Sequence, residues 1–220
     1  MTTSRKDRVL GRIHDLGLVP VVRAQSADEA VQAIDAILEG GVDVLEVTMT
    51  VPDAVPLIEK IARRFGGSAV IGAGTVIDAE TARACILAGA QFIVAPTTSV
   101  ETIACCRRYS VPVLPGALTP TEVLAAWQAG ADMVKVFPCS AVGGASYIKA
   151  LKAPLPQVEL VPTGGVNLET AADFIKAGAS ALGLGSDLVD VKALREGRAS
   201  VISERAKKLV GIVQAARAAK

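Results

Sequence analysis

Gln128-Ala129-Gly130-Ala131-Asp132-Met133-Val134-Lys135-Val136-Phe137-Pro138 ends a helix, turns on a glycine, and enters an apolar, β-branched strand stopped by proline. A lysine stands in the middle of that strand. Lysine is almost never fully buried unless it is paired. On one reading the strand is a sheet edge and Lys135 points to water. On the other it points into a closed core, where desolvation lowers its pKa and frees the amine as a nucleophile. The rest of the chain decides between them.

The same entry turn recurs as Gly40-Gly41-Val42-Asp43, Ala88-Gly89-Ala90-Gln91 and Ala177-Gly178-Ala179-Ser180. Gly41, Gly89, Gly130 and Gly178 stand 48, 41 and 48 residues apart, about two strand–helix units each. A helix-capping glycine explains any one of these turns; their recurrence on every second strand carries the information. Strands are expected near 18–23, 43–48, 69–73, 91–95, 111–115, 132–137, 158–163 and 180–185, and helices near 53–65, 79–88, 99–108, 120–129, 145–153, 168–177 and 199–217. A helix opens at Ser26-Ala27-Asp28-Glu29 with an N-cap pattern, and a short extra helix over 4–16 precedes the first strand. Eight strands each followed by a helix predict an α/β fold, a (β/α)8 TIM barrel forming one domain over residues 1–220.

Five residues beyond each repeated glycine stand Glu46, Val94, Lys135 and Gly183. Alternate strands of a barrel contribute the side chains of one interior layer. Glu46 and Lys135 therefore face each other across the ring, with two smaller residues between them. A polar intrusion at matched depth on two opposite strands is not what an accidental edge lysine leaves, so the buried reading is preferred.

Composition narrows the rest. The chain has 220 residues, a net charge of +1, seven aromatics (Trp 1, Tyr 2, Phe 4) and one histidine, His14. There is no basic block for nucleic acid and no apolar run of the ~20 residues that span a bilayer. The N-terminal stretch leads into a charged amphipathic segment rather than an apolar leader. Cys85, Cys105, Cys106 and Cys139 show neither metal-ligand spacing nor a disulfide framework, which suits a reducing cytoplasm. No metal site and no cofactor are expected.

Barrel chemistry lies at the C-terminal strand ends. Those ends present Arg23, Thr48, Thr75, Pro96, Phe137, Thr163, Gly164, Gly165, Gly185 and Ser186 to one pocket floor. Thr163-Gly164-Gly165 and Gly185-Ser186-Asp187, after the seventh and eighth strands, are placed as a phosphate site, the second leading into a short helix. Arg23 either adds a charged contact there or is a surface charge. A lone amine, a carboxylate and a phosphate site point to imine chemistry on a phosphorylated carbonyl compound.

Val19-Pro20-Val21-Val22-Arg23, Leu45-Glu46-Val47-Thr48, Gly72-Ala73-Gly74-Thr75-Val76, Lys135-Val136-Phe137-Pro138, Pro162-Thr163-Gly164-Gly165 and Gly185-Ser186 together resemble the class I 2-keto-3-deoxy-6-phosphogluconate (KDPG) and 2-keto-4-hydroxyglutarate (KHG) aldolases, with some features of the galactonate-type relatives. The resemblance implies that Lys135 forms a Schiff base with the keto carbon and that Glu46 moves protons through a water. It implies that Thr75 and Pro96 line the pyruvyl end, with Gly164, Gly165 and Ser186 holding phosphate. It further implies a metal-independent carbon–carbon lyase releasing pyruvate and glyceraldehyde 3-phosphate, and a homotrimer. Thr50 stands where the gluconate type usually carries arginine, and Ala95-Pro96-Thr97 replaces its Ser-Pro-Gly, both leaning toward the galactonate epimer; Thr163 leans back. A phosphate-binding barrel isomerase and a non-catalytic phosphosugar-binding barrel are the rival readings.

Overall fold

The computed structural model describes residues 3–219; Met1, Thr2 and Lys220 of the expected 1–220 unit lie outside the described residues. Nine short strands run in chain order: β1 (Leu18–Val22), β2 (Val44–Thr48), β3 (Val70–Gly74), β4 (Phe92–Val94), β5 (Val113–Leu114), β6 (Gly116–Ala117), β7 (Val134–Val136), β8 (Leu160–Pro162) and β9 (Leu182–Leu184). All pairings are parallel, in the orders β5-β4-β3-β2-β1-β9 and β6-β7-β8. Two joints turn these sheets into one ring. Pro115 links β5 to β6, and a parallel bridge between Thr163 and Gly183 joins the end of β8 to β9. The expected eight-staved barrel is the observed fold. Its fifth stave is broken in two because proline has no N–H to give the ladder.

Helices α1 (Arg5–Leu16), α2 (Ala27–Glu39), α3 (Ala54–Phe65), α4 (Ala79–Leu87), α5 (Val100–Arg108), α6 (Pro120–Ala129), α7 (Ala145–Lys152), α8 (Ala171–Lys176), α9 (Val191–Arg195) and α10 (Ser200–Ala218) accompany the strands. Their starts follow N-cap chemistry: the side chains of Ser26, Asp78, Ser99 and Thr119 each accept a first-turn N–H. A 3₁₀ turn, Cys139–Val142, precedes α7. One corrected detail bears on function. The helix after β9 begins at Val191, well beyond Ser186, and the N–H of Ala193 is taken by Asp190. The Gly185-Ser186-Asp187 turn thus does not itself open the helix, whose first turn starts five residues beyond Ser186.

The strands are buried almost throughout because helices cover the outer face and side chains fill the lumen, which is why they read as continuous apolar runs. The extra N-terminal helix is present and lies across the strand entrances. Arg12 forks onto both oxygens of Asp43 at 2.8 Å, before β2, and Lys6 pairs with Asp132 at 2.6 Å, before β7. Helix α1 is thus anchored at that end, while the pocket that shares Thr163 with the inner cavity lies at the C-terminal strand ends.

Candidate active site

Lys135 occupies the centre of β7, hydrogen-bonded through its backbone to Pro115 and in register with Gly116 and Val161. Glu46 occupies β2, opposite. Lys135 Nζ lies 4.0 Å from Glu46 Oε1, and the two side chains are 5% and 1% exposed. They meet at a cavity of about 10 Å³, room for roughly one water, lined by Val19, Val21, Glu46, Val94, Leu114, Lys135, Val161, Thr163 and Gly183. Glu46, Val94, Lys135 and Gly183, the layer drawn from the glycine repeat, all contribute to that lining.

Gly74 makes room for the acid of this pair, and Gly183 makes room for Thr163 beside it. A Cβ at Gly74 would lie 2.6 Å from the Glu46 carboxyl, and one at Gly183 would lie 2.1 Å from Thr163 Oγ1. Among the described residues, neither Glu46 oxygen has a hydrogen-bond partner. Burial therefore holds its carboxyl above the ordinary carboxylate range, against the opposing pull of Lys135 and then Arg23. Glu46 is closed off from bulk solvent and faces only the small inner cavity it shares with Lys135. Phe137 lies over the amine, with Nζ 5.3 Å from the ring centroid.

Outside this core the mouth divides around Phe137. One pocket is lined by Val21, Arg23, Phe137, Thr163, Gly164, Gly165, Val166, Gly185, Ser186 and Asp187. Thr163 is common to this pocket and the inner cavity, so a ligand held here reaches toward Lys135. Arg23 is exposed and is the cation of the pocket; Asp187, the last residue of the Gly185-Ser186-Asp187 turn, adds an opposing charge. Without a helix N-terminus, an anion here would rely on Arg23 and the glycine-rich backbone. The other pocket is lined by Pro96, Thr97, Thr98, Gly116, Ala117, Leu118, Glu122 and Phe137.

Two candidate residues lie outside these linings. Thr48 is fully buried in the wall, donating to Val22 O at 3.3 Å and bonded to the Thr50 hydroxyl at 2.6 Å. Thr75 follows β3 with φ +59°, an uncommon conformation for a β-branched residue. The four cysteines are free and buried, and burial pushes the Cys85 and Cys139 thiols up to about 11 and Cys106 to about 12. Thiols held that high are not nucleophiles near neutral pH, which sets Cys85, Cys106 and Cys139 aside. Among the described residues no group of three or more His, Cys, Asp or Glu side chains is placed to hold a metal ion. A more open groove at the strand-entry end, lined by Arg5, Arg8, Arg12, Asp43 and the Gly66-Gly67-Ser68 turn, has no facing acid and amine of this kind.

A buried lysine facing a buried acid, beneath an anion-sized mouth, agrees with what comparison with known proteins finds. A family model for KDPG and KHG aldolases matches residues 9–204. The chain belongs to this aldolase family. It is 40% identical over 174 residues to 2-dehydro-3-deoxy-6-phosphogalactonate aldolase of Escherichia coli K12, covering 79% of this chain and 84% of that protein. It is 32% identical over 193 residues to the KHG/KDPG aldolase of the same organism, covering 88% and 90%. Its fold superposes with a TM-score of 0.84 on KDPG aldolase from Legionella pneumophila with pyruvate captured at low pH as a covalent carbinolamine intermediate, at 28% identity over 94% of this chain and 98% of that one. Membership of an aldolase family makes the chain a carbon–carbon lyase.

Proposed function

We propose that the protein is a class I, metal-independent aldolase that cleaves a 2-keto-3-deoxy-6-phospho sugar acid, with Lys135 as nucleophile and Glu46 as proton carrier. The observation that carries the reading is the 4.0 Å approach of Lys135 Nζ to Glu46 inside the barrel. On KDPG, the free amine attacks the C2 ketone. Glu46, whose carboxyl burial shifts toward the protonated form, gives a proton to the departing hydroxyl, leaving a protonated imine and a carboxylate. The imine is an electron sink. The C4 hydroxyl loses its proton to that carboxylate, the C3–C4 bond breaks, and glyceraldehyde 3-phosphate leaves. The pyruvate enamine is reprotonated at C3, and hydrolysis returns the amine and pyruvate. Arg23, Gly164, Gly165, Gly185 and Ser186 bind the phosphate. Phe137 and Pro96 shape the pyruvyl side, while Thr48 and Thr75 support the walls around it.

Borohydride with pyruvate is expected to inactivate the protein and leave a reduced pyruvyl adduct on Lys135, found by peptide mass mapping. Absence of the adduct, or full lyase activity in Lys135→Ala, would favour a barrel isomerase or a non-catalytic phosphosugar binder. A second substrate reading, the C4-epimeric phosphogalactonate, is favoured by the 40% identity to a phosphogalactonate aldolase. The ratio of kcat/KM for the two epimers decides between them. We further propose that the chain works as one barrel unit, in the cytoplasm, as a homotrimer; no helix among the described residues is long and apolar enough to cross a membrane.

A further inference from the structure

The N-cap segment Ser26-Ala27-Asp28-Glu29 is tied, through Glu29, to a helix far along the chain. Ser26 Oγ accepts from Glu29 N at 3.2 Å, as expected, but the Glu29 carboxylate reaches past the cap residue to the backbone N–H of Gln25, at 2.6 Å. The same carboxylate accepts from Arg195 Nε at 2.5 Å and Nη2 at 3.2 Å, across 166 residues of chain. The Glu29 side chain is only 12% exposed. Arg195 ends α9, the helix that follows the Gly185-Ser186-Asp187 turn. A second arginine, Arg205 of α10, donates to Asp187 O at 3.1 Å and to Asp190 Oδ2 at 3.2 Å.

The mouth pocket takes its cation, Arg23, from the loop after β1 and its Gly185-Ser186 backbone from the loop after β9. Glu29 is bonded to both loops: to Gln25, two residues beyond Arg23, and to Arg195 on the far side of the strap. Neither Glu29 nor Arg195 lines the pocket. We propose that Glu29 and Arg195 are positioning residues that clamp the Arg23 loop to the Gly185–Arg195 strap and so fix the two halves of a phosphate site at one spacing. A charge-assisted, two-point bond suits that task, because its directionality restrains both loops at once. This inference rests on the phosphorylated-substrate reading above; its consequence is selective, since a substrate without phosphate does not need the clamp.

The test uses the full chain carrying Glu29→Gln, Arg195→Gln, and both. The KM for the phosphorylated keto-deoxy acid is expected to rise about tenfold with kcat nearly unchanged, while kcat/KM for unphosphorylated 2-keto-4-hydroxyglutarate stays at the wild-type value. Calorimetry should show a parallel weakening for inorganic phosphate. The double variant should be no worse than either single, because the two side chains form one link. Equal losses on both substrates, additive losses, or unchanged KM and phosphate affinity would each overturn the clamp. If wild-type protein cleaves the phosphorylated acid and the variants match it, the clamp alone falls. If wild type cleaves neither substrate but phosphate binding still weakens in the variants, the clamp stands and the aldolase reading falls. If wild type neither cleaves nor binds phosphate, both fall.

Discussion

Glu46 carries an acid into the lumen with no hydrogen bond from the rest of the described chain, and this sets its titration. Its native pKa lies above the ordinary value of 4.5, chiefly through burial. A carboxyl raised on folding contributes stability that is present in full below the ordinary value and is lost as pH rises from there through the raised native value. Gln has a similar shape and cannot ionise. Glu46→Gln is therefore expected to gain melting temperature relative to wild type as pH is raised from about 4.5, while losing nearly all lyase activity. Thermal scans across pH read this directly, and a constant difference between the two proteins would show that Glu46 titrates normally. The pairing of Glu46 with Lys135 was legible because a five-residue offset from a repeated glycine turn fixes depth, and a strand period of two fixes side. The walling-in of Thr48 and the reach of Glu29 were not legible. Both depend on what lies across the fold from a residue whose local sequence permits several partners.

At the scale of elements, the barrel is closed by a weak seam. β8 and β9 are joined by the bridge Thr163–Gly183 and by the Ser180 N–H bond to Leu160 O at 2.9 Å, and glycine at 183 leaves the space that Thr163 fills. Gly183→Ala would put a methyl 2.1 Å from Thr163 Oγ1 and 3.0 and 3.1 Å from the Cβ and Cγ2 of the same β-branched side chain. The expected cost is about 1–3 kcal/mol in urea denaturation, the usual range for overpacking. Adding Thr163→Ala should return part of it. An unchanged midpoint in the single variant would mean that the seam yields freely and does not set the width of the lumen. The strand–helix alternation and the eightfold count were readable because buried parallel strands and amphipathic helices leave distinct patterns. The break at Pro115 and the late start of α9 were harder to read. Each turns on which single N–H finds an acceptor, and a residue pattern does not encode that.

At the scale of the whole molecule, exposed apolar residues mark the packed helices α4 and α5. Ile77 precedes α4 and Val100 opens α5 at the mouth end, while Leu87 ends α4 and Tyr109 caps α5 at the other; all four are exposed, Ile77 and Leu87 at 63% and Val100 at 59%. Scattered apolar residues on a surface need no explanation, but these four gather on one packed helix pair, two at each end with charged residues between. A formal charge of +1 puts little electrostatic repulsion between copies. A closed homo-oligomer would bury these residues once per copy, and three copies meet the trimer proposal. Light scattering is expected to give a mass of three 22.6 kDa chains. Ile77→Asp with Val100→Asp should shift that mass toward a single chain, because two carboxylates per copy would have to be buried unpaired. The pyruvate–borohydride adduct on Lys135 should persist in the dissociated protein, since Lys135 and Glu46 face each other inside one barrel. A trimer that survives both substitutions would move the interface to another face, and a monomeric wild type would remove the trimer itself.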